Sequence, residues 1–246
     1  MRIVKYIKKC IREYFRQNKK PLSCSAVIVA AGSSTRMGED KIMKSLGGLP
    51  TIVRTLRAFD NCSVIDEIVV VTRAEKLSEL SDLCRHYEIT KVSKVVCGGA
   101  TRMESSLIGA MNVRDDAALI AIHDGARPFV SDDLIKRTVE AAHIYSAAAP
   151  VLRSTDTLKA LDKRGAVVGT VDRETTARVQ TPQIFDADLI KGALSKAVRE
   201  KLPLTDDCSA VEALGVRTYT VEGDEDNIKL TTPRDYVIAE TIINRK

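Results

Sequence analysis

A chain of 246 residues that is 44% hydrophobic and 29% charged has the composition of an ordinary globular protein, long enough for one large α/β domain or one domain with a lobe. No apolar stretch approaches the roughly 18 uninterrupted residues that a membrane-spanning helix needs. The net charge of +5 comes from one end: residues 1–20 hold eight of the 38 basic residues and one of the 33 acidic residues, which leaves 30 basic and 32 acidic residues elsewhere. This near-neutral body gives no reason to expect nucleic-acid binding.

Residues 1–21 are predicted to form a separate unit. Apolar residues between Ile3 and Phe15 recur at helical spacing with Lys and Arg between them, which predicts a basic amphipathic helix ending near Pro21. Two interpretations of residues 1–20 stay open: a helix docked on the body or on a partner protein, and a helix lying on a membrane surface. The main domain is predicted to span residues 22–246.

From Ala26 onward, apolar runs alternate with helical patterns. The runs are residues 26–30, 65–72, 94–96, 118–123 and 147–151, and the helical patterns between them are residues 51–60, 75–87, 101–111 and 131–145. Repeated β-α-β units of this length predict an α/β fold, a Rossmann-like, mainly parallel sheet flanked by helices. Ligands of such sheets bind at the carboxyl ends of the strands.

The alternation of apolar runs and helical patterns stops over residues 152–178, which are polar and rich in β-branched residues. Strands at 157–161 and 167–171, joined by a turn at Lys163-Arg164-Gly165-Ala166, predict a β-hairpin that protrudes as an arm. Because an exposed two-stranded ribbon is marginally stable alone, we expect the arm to be used for dimerisation. Beyond it, a helix is predicted at 188–199, a strand at 218–221 and a closing helix at 234–243.

The first polar motif follows the first apolar run. Ala30-Ala31-Gly32 leads through hydroxyl residues to two cations, Arg36 and Lys41. Small residues let backbone N–H groups approach an anion closely, and the cations neutralise it, which suits a triphosphate. The spacing matches neither the P-loop nor the dinucleotide fingerprint. An ordinary strand-to-helix loop is the alternative.

Two further motifs follow predicted strands. Gly98-Gly99, with Ser105 further on, opens a helix whose amides could hold a base, ribose or phosphate, although Thr101 and Glu104 also form a capping-box pattern. Asp124 could hold a sugar hydroxyl or reach a metal.

Arg127, three residues after Asp124, could orient that carboxylate or bind a phosphate; a structural ion pair between them is the alternative. His123, ending an apolar strand, is interpreted as a hydrogen-bonded structural residue.

Two signals near the C-terminus are weaker. Thr205 is predicted to cap a helix with Asp206 and Asp207 in its first turn, and the paired acids could instead bind Mg²⁺. Lys229 is a lone cation before a helix that a proline starts.

In order, the motifs AAGxxxRMG with a following Lys, GGxxRxxS, HDGARP, TVDR, TPQ, LTDD and DNIKLTTPRD resemble those of the 2-C-methyl-D-erythritol 4-phosphate cytidylyltransferases of the non-mevalonate isoprenoid pathway. The resemblance covers roughly residues 25–243. It implies transfer of CMP from CTP to 2-C-methyl-D-erythritol 4-phosphate, giving 4-diphosphocytidyl-2-C-methylerythritol and pyrophosphate, by a homodimer. It also implies Mg²⁺ carried by the CTP phosphates, with no protein ligand to the metal.

The resemblance also assigns roles. The catalytic residues it implies are Arg36, Lys41 and Lys229. The nucleotide would be held by Ala30, Ala31, Gly32, Gly99, Ser105 and Asp124. The methylerythritol phosphate would be bound by Asp124, Arg127, Thr157, Arg173, Thr181 and Thr205, with Thr157 and Arg173 serving the neighbouring subunit's site.

Some alternatives remain. Lys44 is a rival to Lys41, although counting back from Leu46-Gly47-Gly48 favours Lys41. Ala100 replaces a residue that is often polar in the family, which leaves the contact with the base to the backbone. A ribitol-5-phosphate cytidylyltransferase and a non-catalytic nucleotide-binding or scaffold protein are the alternative functions.

The cysteines bear on location. Six are scattered without a C-x-x-C pair, and Cys24 and Cys97, in or beside apolar runs, are expected to be buried free thiols. With no secretory signal ahead of the body, this favours a reducing cytoplasm.

Overall fold

The computed structural model describes residues 23–32, 40 and 42–245. The predicted N-terminal helix, Arg36 and Lys41 lie outside the described residues. Within the described part, no helix has the length and apolar character to cross a membrane.

Twelve strands and seven α-helices are present in these residues. The strands are β1 (Cys24–Val29), β2 (Ser45–Leu46), β3 (Leu49–Pro50), β4 (Glu67–Thr72), β5 (Val92–Cys97), β6 (Leu119–Asp124), β7 (Ala147–Arg153), β8 (Lys159–Leu161), β9 (Val167–Thr170), β10 (Ala177–Val179), β11 (Gln183–Asp186) and β12 (Tyr219–Glu222). The helices are α1 (Thr51–Asp60), α2 (Leu77–His86), α3 (Arg102–Asn112), α4 (Asp132–Tyr145), α5 (Ala187–Arg199), α6 (Asp207–Glu212) and α7 (Pro233–Arg245), with a 3₁₀ turn at Ala74–Lys76.

The main sheet has the strand order β10-β7-β11-β6-β1-β4-β5, and β12 also pairs with β7. Strand β1 runs parallel to β4 and β6, β4 runs parallel to β5, and β12 runs parallel to β7. Only β10 and β11 pair antiparallel within this sheet, as far as the described residues go. The predicted mainly parallel α/β sheet is confirmed.

Alternating residues of the central strands feed two separate cores. Ala26 and Ile28 of β1 pack under α1, α2 and α4, whereas Val27 packs under α3, α5 and α6. This alternation on a strand buried on both faces explains the continuous apolar run in the sequence. A third cluster joins Leu46 to Tyr236 and Ile242, and so anchors α7 beside the β2–β3 hairpin.

Helix α3 packs directly against the sheet at Gly109. A Cβ atom at Gly109 would stand 2.2 Å from Cγ1 of Val27 and 2.8 Å from Cγ2 of Val71. No side chain fits there, so Gly109 sets how closely α3, and the loop that precedes it, approaches the strands.

The arm is a two-stranded ribbon, as predicted. Strands β8 and β9 pair antiparallel, and Gly165 in their turn has φ +84°, a conformation that favours glycine. Leu161, Val167 and Val168 on this ribbon are exposed. Dimerisation through the arm stays a prediction.

One strand was not predicted, and one expectation about a cysteine was wrong. Strand β11 was not predicted, because four residues directly after Pro182 give a weak strand pattern and owe their conformation to pairing with β6 and β7. Cys24 is buried as expected, but Cys97 is exposed, because it ends the edge strand β5.

Candidate active site

Three of the polar motifs meet at the carboxyl edge of the sheet. The backbone N–H of Ala30 donates to Val71 O at 2.7 Å, that of Gly98 to Thr72 O at 2.7 Å, and that of Gly125 to Val29 O at 2.9 Å. Each loop is therefore fixed to a neighbouring strand where it leaves its own. Residues 30–32 after β1, together with the loops after β5 and β6, form one rim.

The turn before α3 is rigid. Thr101 and Glu104 form the predicted capping box, in which Thr101 Oγ1 accepts from the Glu104 N–H at 3.1 Å. The hydroxyl of Ser105 donates to Thr101 O at 2.9 Å and accepts from the Gly99 N–H at 3.2 Å. A Cβ atom on Gly99 would lie 2.4 Å from Glu104 Cβ, so a larger residue would force this turn open.

Asp124, at the end of β6, is the centre of a cluster of cations. Its Oδ2 lies 2.8 Å from Nζ of Lys229 and 3.7 Å from Nε of Arg127, and its Oδ1 lies 3.6 Å from Nε of Arg102. Burial alone would raise the pKa of Asp124, but attraction by Lys229 and Arg102 outweighs burial and holds that pKa well below its usual range. The carboxylate is ionised whenever the protein is folded near neutral pH.

Arg102 also pairs with Asp207, the first residue of α6. Arg102 Nη2 lies 2.7 Å from Asp207 Oδ2, and the Asp207 side chain is 0% exposed. Burial lowers the pKa of Arg102, but the charges of Asp207 and Asp124 more than compensate, and the net shift is upward. Arg102 appeared in the sequence only as a letter of the GGxxRxxS motif, and no spacing signal connected it with Asp207, which lies 105 residues away.

His123 and Thr181 brace the backbone of Asp124. Thr181 Oγ1 accepts from the Asp124 N–H at 3.2 Å and lies 3.0 Å from His123 Nδ1, while His123 Nε2 lies 3.1 Å from Arg127 O. Since the Arg127 carbonyl can only accept, Nε2 carries the proton, Nδ1 is the acceptor, and the Thr181 hydroxyl donates to it. Burial lowers the pKa of His123 to about 4. The interpretation of His123 as a structural residue agrees with these contacts.

The segment that carries Lys229 is tied to the same loops. Asn227 is completely buried, and its Nδ2 donates to Thr181 O at 2.9 Å. The backbone carbonyl of Asn227 accepts from Arg127 Nη1 at 2.7 Å. The Leu230 N–H donates to Ala126 O at 2.9 Å. These bonds on both sides of Lys229 fix its Cα beside Asp124.

The helix start near Thr205 differs from the expectation. Asp206, not Thr205, caps α6: its Oδ1 accepts from the Ser209 N–H at 3.1 Å, and its Oδ2 accepts from Gln183 Nε2 at 2.8 Å. Both residues are good caps, and the buried Gln183, which also accepts from the Asp207 N–H at 3.0 Å, selects Asp206. Thr205 is left exposed.

Comparison with known proteins identifies the family. The model of the IspD family, 2-C-methyl-D-erythritol 4-phosphate cytidylyltransferase, matches residues 24–245. The chain belongs to this family. It is therefore a CTP-dependent nucleotidyltransferase of the non-mevalonate isoprenoid pathway, and the ribitol and scaffold alternatives are not supported.

Relatives and solved structures agree. The chain is 40% identical over 227 residues to the 2-C-methyl-D-erythritol 4-phosphate cytidylyltransferase of Caldanaerobacter subterraneus, covering 91% of this chain and 100% of the relative. It is 41% identical to that of Halalkalibacterium halodurans over 224 residues, covering 90% of this chain and 97% of the relative. The structure of 4-diphosphocytidyl-2C-methyl-D-erythritol synthase from Anaerococcus prevotii is similar with a TM-score of 0.82 at 30% identity, covering 94% of this chain and 99% of that one.

Other predicted residues of this cytidylyltransferase are not among the side chains that contact Asp124. Thr157 and Arg173 are exposed on the arm, where Arg173 Nε lies 3.7 Å from Glu174 Oε1. Lys44, the rival of Lys41, has its Nζ 5.1 Å from the ring centroid of Tyr236 on α7, so it contacts the C-terminal helix. Among the described residues, no group of three or more His, Cys, Asp or Glu side chains is arranged to hold a metal ion.

Proposed function

We propose that the Asp124 cluster and the adjoining rim bring CTP and 2-C-methyl-D-erythritol 4-phosphate together, and that Lys229, with Arg36 and Lys41, stabilises the transition state. The observation that carries this proposal is the position of Lys229: its ammonium group sits at the rim against Asp124, on a backbone fixed on both sides.

The reaction suits such a site. An oxygen of the methylerythritol phosphate attacks the α-phosphorus of CTP and forms a new P–O bond, while the bond from that phosphorus to the β-phosphate oxygen breaks and pyrophosphate leaves. The step needs no covalent enzyme intermediate. It needs two anions held in line and the developing negative charge neutralised, which positioned cations supply.

The nucleotide side is proposed to be the loops after β1 and β5. The backbone of Ala30–Gly32, Gly99 and Ser105 would hold base and ribose, with Asp124 accepting from hydroxyl groups. The rigid turn before α3 supports this assignment. Gly99 has no side chain to block the approach of a ligand, and the Ser105 hydroxyl fixes its backbone.

The polyol phosphate side is proposed to include Arg127, Thr205 and Thr181. Thr205 is exposed and free of the helix cap, which supports direct contact with substrate. Thr181 is 4% exposed and its hydroxyl bonds to His123 and the Asp124 N–H, so its contribution includes holding Asp124 in place.

Magnesium is proposed to bind through the CTP phosphates. Asp124 and Asp207 are engaged by cations, and Asp206 accepts from Gln183 and its own helix, so the phosphates rather than these carboxylates suit the ion. When bound, Mg²⁺ neutralises phosphate charge and favours the departure of pyrophosphate.

A homodimer through the arm is also proposed, with Thr157 and Arg173 reaching the neighbouring site. The exposed Leu161, Val167 and Val168 support it, because a second chain would cover them. Replacing Val168 with Ser should shift the equilibrium from dimer towards monomer, as measured by sedimentation velocity. A wild-type protein that sediments as a monomer would contradict the proposal.

We place the enzyme in the cytoplasm, where the five free cysteines of the described residues suit a reducing environment. For residues 1–20 we propose docking on the body or on a partner protein, in preference to contact with a membrane. Flotation of the full chain with anionic but not neutral vesicles, reversed by salt, would favour the membrane instead.

The test of the activity is pyrophosphate release from CTP and Mg²⁺, with 2-C-methyl-D-erythritol 4-phosphate compared with ribitol 5-phosphate. Turnover with the former only is expected. Turnover with ribitol 5-phosphate only would move the protein to the alternative enzyme, and CTP binding without turnover would favour the non-catalytic alternative.

A further inference from the structure

Arg102 lies between two carboxylates and is closer to one, Asp207, than to the other, Asp124. Its Nη2 is at hydrogen-bond distance, 2.7 Å, from Oδ2 of the fully buried Asp207, whereas its Nε lies 3.6 Å from Oδ1 of Asp124. Asp207 therefore fixes the guanidinium, and the guanidinium acts on Asp124 through charge and position. The 3.6 Å separation leaves Oδ1 able to accept a hydrogen bond from a substrate hydroxyl.

The support for Asp207 comes from the sheet. Gln183 of β11 accepts from the backbone N–H groups of Asp207 and Cys208, each at 3.0 Å, and so fixes the first turn of α6. A continuous series of contacts runs from Gln183 through Asp207 and Arg102 to Asp124.

The ion pair is a poor way to stabilise the fold. Arg102 Nη1 and Asp207 Oδ1 are both buried without a hydrogen-bond partner among the described residues. Buried ion pairs are often no more stable than an apolar pair of similar volume, and unsatisfied polar atoms add a further cost. What the pair does supply is a fixed cation beside the rim carboxylate.

We propose that Arg102, held by Asp207, is a positioning residue that keeps the carboxylate of Asp124 oriented to receive the nucleotide. The inference rests on the proposed role of Asp124 in binding CTP. Lys229 and Arg127 approach Oδ2, and Arg102 approaches Oδ1, so loss of Arg102 leaves the carboxylate attracted from one side only.

The experiment compares full-length variants by steady-state kinetics and thermal unfolding. The pair Arg102→Gln with Asp207→Asn removes both charges together, so that no buried charge is left alone. We expect this double variant to keep the cooperative unfolding transition of the wild type but to raise KM for CTP at least tenfold, with a smaller change in kcat. The matched control is Arg85→Gln with Asp82→Asn, an exposed ion pair on α2, which should leave both constants unchanged.

Two further variants keep the test decisive. Asp124→Asn alone should raise KM for CTP; if it does not, the proposed role of Asp124 fails, whatever Arg102 does. Adding the Arg102→Gln and Asp207→Asn changes to Asp124→Asn should alter KM less than twofold, since Arg102 acts through Asp124.

Three results would overturn the inference. One is a double variant whose KM for CTP stays within twofold of the wild type. Another is a further tenfold rise in the Asp124→Asn background, which would show that Arg102 acts independently. The third is loss of cooperative unfolding both in this pair and in an apolar pair, Arg102→Met with Asp207→Leu, which would show that the ion pair serves folding.

Discussion

The Nζ of Lys229 lies 2.8 Å from Oδ2 of Asp124. The cation proposed to act on the α-phosphorus is thus paired with the carboxylate proposed to bind the nucleotide. When no nucleotide is bound, each of these two charges at the rim is neutralised by the other. The pairing also fixes Lys229 beside the proposed binding site of CTP.

The buried His123 should make stability depend on pH. Its pKa is lowered to about 4 in the folded protein, whereas an unfolded histidine titrates near 6.5. The unfolded chain therefore binds a proton that the folded chain does not as pH falls from about 6.5 to about 4, and the free energy of unfolding should drop by up to about 3 kcal/mol across that window.

Above pH 6.5 this contribution from His123 is complete and constant. Urea unfolding at a series of pH values measures it, and His123→Gln, which cannot titrate, should show a shallower decline between pH 6.5 and 4 than the wild type. Equal slopes for the two proteins would contradict the assignment of a buried neutral His123.

The same exchange, glycine to alanine, should change the free energy of unfolding in opposite directions at two helical positions, because α3 packs closely on the sheet at one of them. Gly109→Ala would place a Cβ 2.2 Å from Val27 Cγ1, so overpacking should destabilise the protein by about 1–3 kcal/mol. Gly192→Ala on the exposed side of α5, where nothing lies within 4 Å, should instead stabilise it by about 0.5–1 kcal/mol. Denaturant titration of both variants measures the difference, and destabilisation by Gly192→Ala would show that the reasoning fails.

Neighbouring residues at the start of α6 should separate stability from binding. Asp206→Ala removes the helix cap and the partner of Gln183, and should lower stability by about 1–2 kcal/mol. Thr205→Ala should leave the thermal midpoint unchanged and raise KM for the methylerythritol phosphate. Parallel melting and kinetic measurements test this, and a Thr205→Ala variant that melts earlier while Asp206→Ala does not would restore Thr205 as the cap.

The sequence predicted the layered architecture because the central strands carry their own signal. Val27, Val69 and Ile120 lie in uninterrupted apolar stretches, residues 26–30, 68–71 and 117–122, as expected for strands covered on both faces. The capping box at Thr101 and the hairpin turn at Gly165 were equally accessible, since each depends on residues a few positions apart.

Features that depend on distant partners were not accessible. Strand β11 exists because its backbone fills the space between β6 and β7, and the choice of Asp206 over Thr205 depends on Gln183, which no local pattern indicates. Arg102 and Asp207 are 105 residues apart in the sequence. Their pairing at 2.7 Å is visible only once the fold is known.

The exchange of Lys229 for Ala tests the central claim most directly. We expect kcat to fall at least about 100-fold, the size expected when one positioned stabiliser of transition-state charge is removed. Lys136→Ala is the matched control, because Lys136 is similarly exposed (41% against 38%) and its Nζ also pairs with an aspartate, Asp132, at 2.6 Å. Lys136→Ala should retain full turnover, and both variants should keep a cooperative unfolding transition. A Lys229→Ala enzyme that turns over CTP and 2-C-methyl-D-erythritol 4-phosphate within threefold of the wild type would contradict the proposed mechanism.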